Sequence, residues 1–243
     1  MNEHASFPTT QWSVVVNAGA GSASEANVAL ENLCRQYWHP LYSFIRWQGR
    51  SRQEAEDCTQ EFLARLLATE GIARARPERG RFRTFLLGAL RNFLINEWHR
   101  AQAAKRGGGE AVLPLEFEEG ERRFIREPVD PKLTPEQAFD RNWAFGLIDG
   151  AIRELHAEYE KSGRGTLFDA LRPFIWENMV PDSLPVQAAG LKMNPHALTM
   201  ALHRLRRRLG ECLRVEVANT VSDRADVDEE LRYLIAVVGQ KHS

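Results

Sequence analysis

This chain of 243 residues has only three cysteines and no long hydrophobic run. Cys34, Cys58 and Cys212 lie far apart in apolar helical patterns, which predicts buried free thiols rather than disulfides or a zinc site. No Cys or His pair has the spacing of metal ligands, so neither a metal nor another cofactor is expected. Because the chain lacks a membrane-length apolar segment and a signal-like N-terminus, we expect a cytoplasmic protein without membrane contact.

The motifs of common enzyme classes are also missing. The sequence has no phosphate-binding glycine loop, no HExxH motif and no GxSxG nucleophile elbow. We therefore expect no catalytic residue and no enzymatic activity. Sustained alternation of the β type is absent too, and the helical period of the apolar residues predicts an all-α fold.

The net charge of -1 hides a strong segregation of charge along the chain. Basic residues concentrate at 79–106 and again at 204–208, and acidic residues concentrate between them, at 110–130. Nucleic acids are bound by such clusters of Arg and Lys, so the two basic segments favour a partner contacted at two points. The acidic segment could cover a basic DNA-binding face.

Composition and periodicity predict two small helical domains joined by a flexible acidic linker. Three successive glycines at 107–109 begin the linker, because ordered glycine carries a large backbone-entropy cost. Within the first domain, Ser51 and Glu54 have the spacing of a capping box, and a long helix is expected from about Phe82 to Ala104. The predicted segments are an N-terminal arm (1–25), a first domain (26–106), the linker (107–134), a second domain (135–219) and a C-terminal extension (220–243).

The second domain contains a predicted helix-turn-helix, with helices at about 184–191 and 195–219. Asn194 can cap the longer helix, and Pro195 suits its first position. Leucines at 198, 202, 205 and 209 give this helix one apolar face, which leaves its arginines on other faces. Basic amphipathic helices also bind membranes and protein partners, so this helix alone does not identify DNA as the ligand.

Three separate segments carry a resemblance to one family. The sequence AEDCTQEFLARL at 55–66 resembles the signature AEDxxQExFxRL, and FRTFLLGALRN at 82–92 resembles FRxWLxxIARN. The sequence LHRLRRR at 202–208 resembles the end of a region-four recognition helix. In this order, over about residues 30–214, the chain resembles a group-four, extracytoplasmic-function-type sigma factor of the sigma-70 family, which keeps only regions two and four.

The resemblance implies a transcription initiation factor with three sets of contact residues. Those implied to bind core RNA polymerase are Asp57, Gln60, Glu61, Phe62, Arg65 and Leu66. Those implied to bind the opened non-template strand of the minus-10 element are Arg83, Arg91, Asn92, Asn96, Trp98 and Arg100. Those implied to bind the duplex minus-35 element are His196, Thr199, Met200, His203, Arg204, Arg207 and Arg208. The aromatic and leucine side chains of Phe85, Leu90 and Phe93 are expected in the core instead.

Several alternatives stay open at this point. A stand-alone helix-turn-helix regulator would bind duplex DNA without acting as a sigma subunit, and a protein-interaction adaptor would not bind promoters at all. The family also raises an anti-sigma factor as a candidate partner. Finally, Lys192 stands in the turn where the family often has Gly, so this turn either avoids a positive φ or accepts strain.

Overall fold

The computed structural model describes Trp12 and residues 23–68, 81–101, 115–126, 133–176 and 188–239, without the side chains of residues 23, 26, 98–101 and 126. This part of the chain is all-α, as the sequence predicts. Its helices are α1 (Ala23–Trp47), α2 (Arg52–Leu67), α3 (Phe82–Ala101), α4 (Phe117–Arg126), α5 (Pro135–Lys161), α6 (Gly165–Leu171), α7 (Pro195–Asn219) and α8 (Val227–Gly239). None of the described helices is both long and apolar enough to cross a membrane.

The chain divides into two compact units whose boundaries differ from the predicted domains. The first unit comprises 1–146 together with 217–243, and the second comprises 147–216. Trp12 of the predicted arm and the described part of the C-terminal extension thus belong to the first unit, and the second unit is inserted between two segments of the first. Composition could not indicate this division, because it depends on contacts between residues that are distant in sequence.

Local sequence signals account for the first two helices. Pro40 lies inside α1, where it has no backbone N–H to donate, and the helix is kinked at Tyr37, with φ -117° and ψ 26°. Ser51 caps α2 through its hydroxyl, which accepts from the backbone N–H of Glu54, and the Glu54 carboxylate accepts from the N–H of Ser51 in return. The predicted capping box is therefore present.

Aromatic side chains form the core of the first unit. Trp12 from the N-terminal segment is fully buried, and its ring centroid lies 5.0 Å from Phe82 and 5.1 Å from Phe85 at the start of α3. Tyr37 of α1 stacks on Trp143 of α5 with centroids 4.5 Å apart. Aromatic pairs at these separations add to the area they bury, so they fix α1, α3 and the start of α5 against one another.

Helix α4 lies within the segment predicted to be a flexible linker, and it packs on α1. Its Phe117 contacts Trp38 at a centroid distance of 4.9 Å. The carboxylate of Glu121 accepts from both Nε and Nη2 of Arg46, at 3.1 and 2.9 Å, and from the hydroxyl of Tyr42. The prediction of a linker without structure is therefore wrong for residues 117–126, because apolar and ionic contacts to α1 order them.

The second unit has a separate hydrophobic core. Leucines of α7 meet aromatic side chains of α5 and α6 there, and Ala188 just before the turn joins them. The leucines at 198, 202, 205 and 209 of α7 are all buried, as their spacing predicts. One face of α7 is thus fixed as core, which leaves the other faces for contacts outside the unit.

Candidate nucleic-acid and polymerase interfaces

The turn before α7 connects it to a short helical segment. Residues 188–190 are helical, and the N–H of Met193 bonds to the carbonyl of Ala188 at 2.9 Å while that of Lys192 bonds to Ala189 at 3.1 Å. This pair of bonds is a Schellman motif, in which Lys192 takes the left-handed position with φ 53°. The turn therefore accepts strain at Lys192, which is one of the two outcomes that the sequence left open. The rest of the predicted 184–191 helix lies outside the described residues.

Asn194 caps the N-terminus of α7 as predicted. Its side-chain oxygen accepts from the N–H of His196 at 2.9 Å, and its carbonyl accepts the first helical bond, from Leu198 at 3.1 Å. The exposed residues of the N-terminal half then lie on the side away from the leucines: they are His196, Met200, His203 and Arg204. A recognition helix contacts base edges with its N-terminal residues, so this face has the right position for that role. The hydroxyl of Thr199 donates to the carbonyl of Pro195 at 3.1 Å.

The arginines of α7 differ in their exposure and in their bonding partners. Arg204 is exposed, and so is Arg207, which pairs with the carboxylate of Glu211 at 3.7 Å. Arg206 is half-buried and donates to the carbonyls of Phe174 and Ile175, at 2.7 and 3.1 Å, where it satisfies the end of a 3-10 turn. Only part of the basic cluster is thus presented to a ligand.

Arg208 is engaged by two carboxylates of its own unit. Its guanidinium donates through Nε to Glu158 at 2.9 Å and through Nη1 to Glu211 at 2.8 Å. The hydrogen bond from Arg208 lowers the pKa of Glu158, and the two hydrogen bonds raise the pKa of Arg208. Arg208 is 47% exposed, and it would have to exchange these two carboxylates to bind a phosphate as the sequence predicts.

On α2, the predicted polymerase contacts separate into an exposed set and a buried set. Asp57 and Glu61 are exposed, and Arg65 pairs with Glu61 and also with Glu97 of α3, at 3.1 Å. Phe62 is 3% exposed. Its ring lies 5.5 Å from that of Phe93 in α3.

Leu66 is 5% exposed, and Gln60 is half-buried with partners of its own. As direct polymerase contacts, Phe62 and Leu66 are therefore corrected: both side chains are buried, and that of Phe62 packs on α3. They hold the polar residues of α2 in place instead of meeting a partner. The exposed candidates on this helix are thus charged residues.

On α3, three of the predicted minus-10 residues share an exposed face. They are Arg91, Asn92 and Asn96, and Arg91 is paired with Glu136 at the start of α5. Ile95 on the same helix is 57% exposed, and no local sequence pattern distinguishes it from the buried apolar residues of α3. Phe85, Leu90 and Phe93 are buried, as predicted. The side chains of Trp98 and Arg100 lie outside the described residues.

The buried position of Arg83 contradicts the prediction that its side chain is accessible to DNA. It is 9% exposed, and it donates through Nε to Glu230 at 2.6 Å and through Nη1 to Asp140 at 2.8 Å. Its guanidinium also lies 4.3 Å from the ring centroid of Tyr233. The two carboxylates are contributed by α5 and α8, so Arg83 connects three helices in this conformation.

The described part of the chain contains no group of side chains that could hold a metal ion. Cys34 and Cys212 are buried and Cys58 is half-buried, and all three are free, in agreement with the prediction of free thiols. Burial raises the pKa of Cys58 to about 12, so its thiol stays protonated near neutral pH.

One family matches part of this structure. The family described as sigma-70 region 2 matches residues 33–104, a range that includes most of α1, all of α2 and all of α3. Its members are transcription initiation factors, not enzymes. Neither the curated proteins nor the solved structures gave a match.

Proposed function

We propose that this chain, of which residues 33–104 match sigma-70 region 2, is a sigma factor of the sigma-70 family and belongs to the group-four, extracytoplasmic-function type. In this proposal, the first unit binds core RNA polymerase and the opened minus-10 element, and the second unit binds the minus-35 element. One observation carries it: the region 2 match coincides with α1–α3, and a helix-turn-helix with an exposed basic helix follows in the same chain.

Helix α2 is the proposed contact to core polymerase. Asp57 and Glu61 are exposed on it, and the pairing of Arg65 with Glu61 and Glu97 holds the helix against α3. Charged groups at the edge of an interface act mainly on the association rate and on partner choice. A helical, charge-bearing surface of the polymerase would fit this side of α2.

Helix α3 is the proposed reader of the minus-10 element. Its exposed face combines the amides of Asn92 and Asn96 with the exposed side chain of Ile95. Bases of an opened strand expose their edges to amides and their faces to apolar or aromatic groups, so this combination suits single-stranded DNA better than a duplex. Arg91 can exchange its exposed partner Glu136 for a phosphate.

The exposed face of α7 is the proposed reader of the minus-35 element. His196, Met200 and His203 lie where a recognition helix meets base edges, and Arg204 and Arg207 can reach base edges or phosphates. An arginine that contacts guanine through two hydrogen bonds would contribute roughly 1–3 kcal/mol of discrimination.

Binding to purified core polymerase tests the polymerase part of the proposal. We expect Asp57→Ala to weaken the complex, because it removes an exposed charge from the proposed contact. The matched control is Glu25→Ala, which removes an exposed carboxylate from α1 before the region 2 match begins. Equal binding of both variants and the unaltered chain would argue against α2 as the contact.

A gel-shift comparison separates the proposal from its main alternative. A stand-alone helix-turn-helix regulator binds duplex DNA tightly by itself, whereas a sigma factor needs core polymerase for tight and specific binding. Tight, specific binding of the free chain to duplex fragments, unaffected by added core polymerase, would favour the regulator.

A further inference from the structure

The C-terminal segment of the chain folds back onto the beginning of α3. The N–H of Phe82, the first residue of that helix, donates to the carbonyl of Thr220 at 2.8 Å, and Arg81 forms an antiparallel bridge with Val221. The first N–H groups of a helix have no partner inside the helix, so Thr220 supplies an acceptor that α3 lacks. Val221 is fully buried, and the segment is thus part of the first unit's packing.

Helix α8 then places two consecutive carboxylates against two arginines. Glu230 is 1% exposed, accepts from Nε of Arg83 at 2.6 Å, and forms an ion pair with Arg81, whose Nε lies 3.1 Å away. Glu229 accepts from Nη2 of Arg81 at 2.5 Å and is largely exposed. Both carboxylates lie in the first turn of α8, where the helix dipole also favours negative charge.

Tyr233 completes the contact from the next turn of α8. Its ring lies over the guanidinium of Arg83, and its hydroxyl bonds to Asp140 of α5. Arg83 is therefore covered by a carboxylate, an aromatic ring and a second carboxylate. Arginine forms charge-assisted hydrogen bonds with carboxylates and phosphates alike, and its guanidinium also binds the faces of aromatic rings.

We propose that residues 217–239 form a latch that withholds Arg81 and Arg83 from DNA in the free chain, with Glu229 and Glu230 in the place of DNA phosphates. Carboxylate and phosphate compete for the same guanidinium geometry, so α8 and a nucleic-acid backbone compete for Arg81 and Arg83, while Arg83 also donates to Asp140 of α5. Arg83 lies inside the region 2 match and the two carboxylates lie far outside it. The inference rests on the proposed function, because it assumes that DNA approaches the beginning of α3.

The salt dependence of single-strand binding by the free, full-length chain tests the latch. The probe is a fluorescent oligo(dT), and its affinity is measured over a series of KCl concentrations. Each arginine released to a phosphate makes the slope of log affinity against log salt more negative by about 0.7. We expect Glu229→Gln/Glu230→Gln to steepen the slope by about 1.4 and to tighten binding about tenfold at low salt.

Two controls separate the latch from a general change of charge. Asp226→Asn removes one negative charge just before α8, from a carboxylate that is in none of these ion pairs, and we expect no steeper slope. Adding Arg81→Gln and Arg83→Gln to the double variant should abolish its gain. If the double variant gains affinity and the added substitutions leave that gain intact, the latch is wrong.

Glu229→Gln alone keeps the test decisive if the double variant does not fold. Its carboxylate is exposed, so the substitution is expected to leave the fold intact, and the slope should steepen by less than in the double variant. An unchanged slope in Glu229→Gln and in every folded double variant would overturn the latch. No polymerase is present in this assay, so its outcome is independent of whether the unaltered chain directs transcription.

Discussion

Arg208 of α7 donates through Nε to the carboxylate of Glu158 in α5, at 2.9 Å, while Arg207 beside it is 81% exposed. Neighbouring arginines of one basic run thus have different roles in the second unit. Arg208 connects α7 to α5, and Arg207 is exposed and available to a ligand. Sequence alone makes the two look equivalent.

Substitution of each arginine should therefore have a different effect. Arg207→Gln is expected to reduce the salt slope of duplex binding by about 0.9, because one phosphate contact is lost. Arg208→Gln is expected to leave the slope unchanged and to lower the free energy of unfolding by up to about 1 kcal/mol, since the ion pair is partly exposed. Fluorescence anisotropy and urea unfolding measure the two quantities. Equal slopes for both variants would contradict the division of roles.

Gly120 is required where α4 crosses α1. A Cβ at this position would lie 2.4 Å from Cη2 of Trp38, so Gly120→Ala is expected to lower the free energy of unfolding by about 1–3 kcal/mol. The matched control is Gly88→Ala in α3, where a Cβ meets nothing within 4 Å. That substitution should stabilise the chain by roughly 0.5–1 kcal/mol. Urea unfolding measures the stability of both variants. Equal destabilisation by the two substitutions would argue against close packing of Gly120 on Trp38.

Local sequence signals predicted the helices well, but they did not predict contacts between residues that are distant in sequence. Helix α7 has the predicted bounds of 195–219, because caps and apolar spacing act within a few residues. Arg83 is separated from Asp140 by 57 residues and from Glu230 by 147, so no local pattern indicates that it is buried. The order in α4 depends likewise on the fit between Gly120 and Trp38, whereas its acidic composition favoured a linker.

His39 should make stability depend on pH through the contact between α1 and α4. Its Nε2 lies 3.1 Å from the carbonyl of Gly120, and burial, helped by the charge of Arg123, lowers its pKa to about 4. The unfolded chain takes up this proton near pH 6.5 and the folded chain does not. The contribution of His39 to the free energy of unfolding is therefore fully present above pH 6.5. It falls as the pH drops toward 4, by up to about 1.4 kcal/mol per pH unit.

Urea unfolding at a series of pH values measures this effect by difference. His39→Gln keeps a side-chain N–H for the Gly120 carbonyl and removes the titration, so its stability should fall less on acidification. Carboxylates with a lowered pKa, such as Glu121, contribute equally to both chains. Parallel pH profiles for the two chains would exclude His39 as the source.

Lys192 offers a test of the strained turn. Its φ of 53° lies in the left-handed region, which glycine adopts without a steric cost. Lys192→Gly is expected to stabilise the second unit by about 0.5–1 kcal/mol, and Lys192→Ala, which keeps the strain, is expected to give no gain. Thermal unfolding of the two variants distinguishes relief of strain from loss of the lysine side chain. Equal changes in stability for Lys192→Gly and Lys192→Ala would show that loss of the side chain is the cause.

Transcription by purified core polymerase on a library of genomic fragments shows whether this protein directs initiation at promoters. Transcript start sites are mapped with and without this protein. We predict a set of new start sites that share sequence elements at about minus-10 and minus-35, and we expect them to be lost together in a variant carrying Asn92→Ala, Asn96→Ala and Arg204→Ala. The same start sites in the presence and absence of the protein would contradict the account.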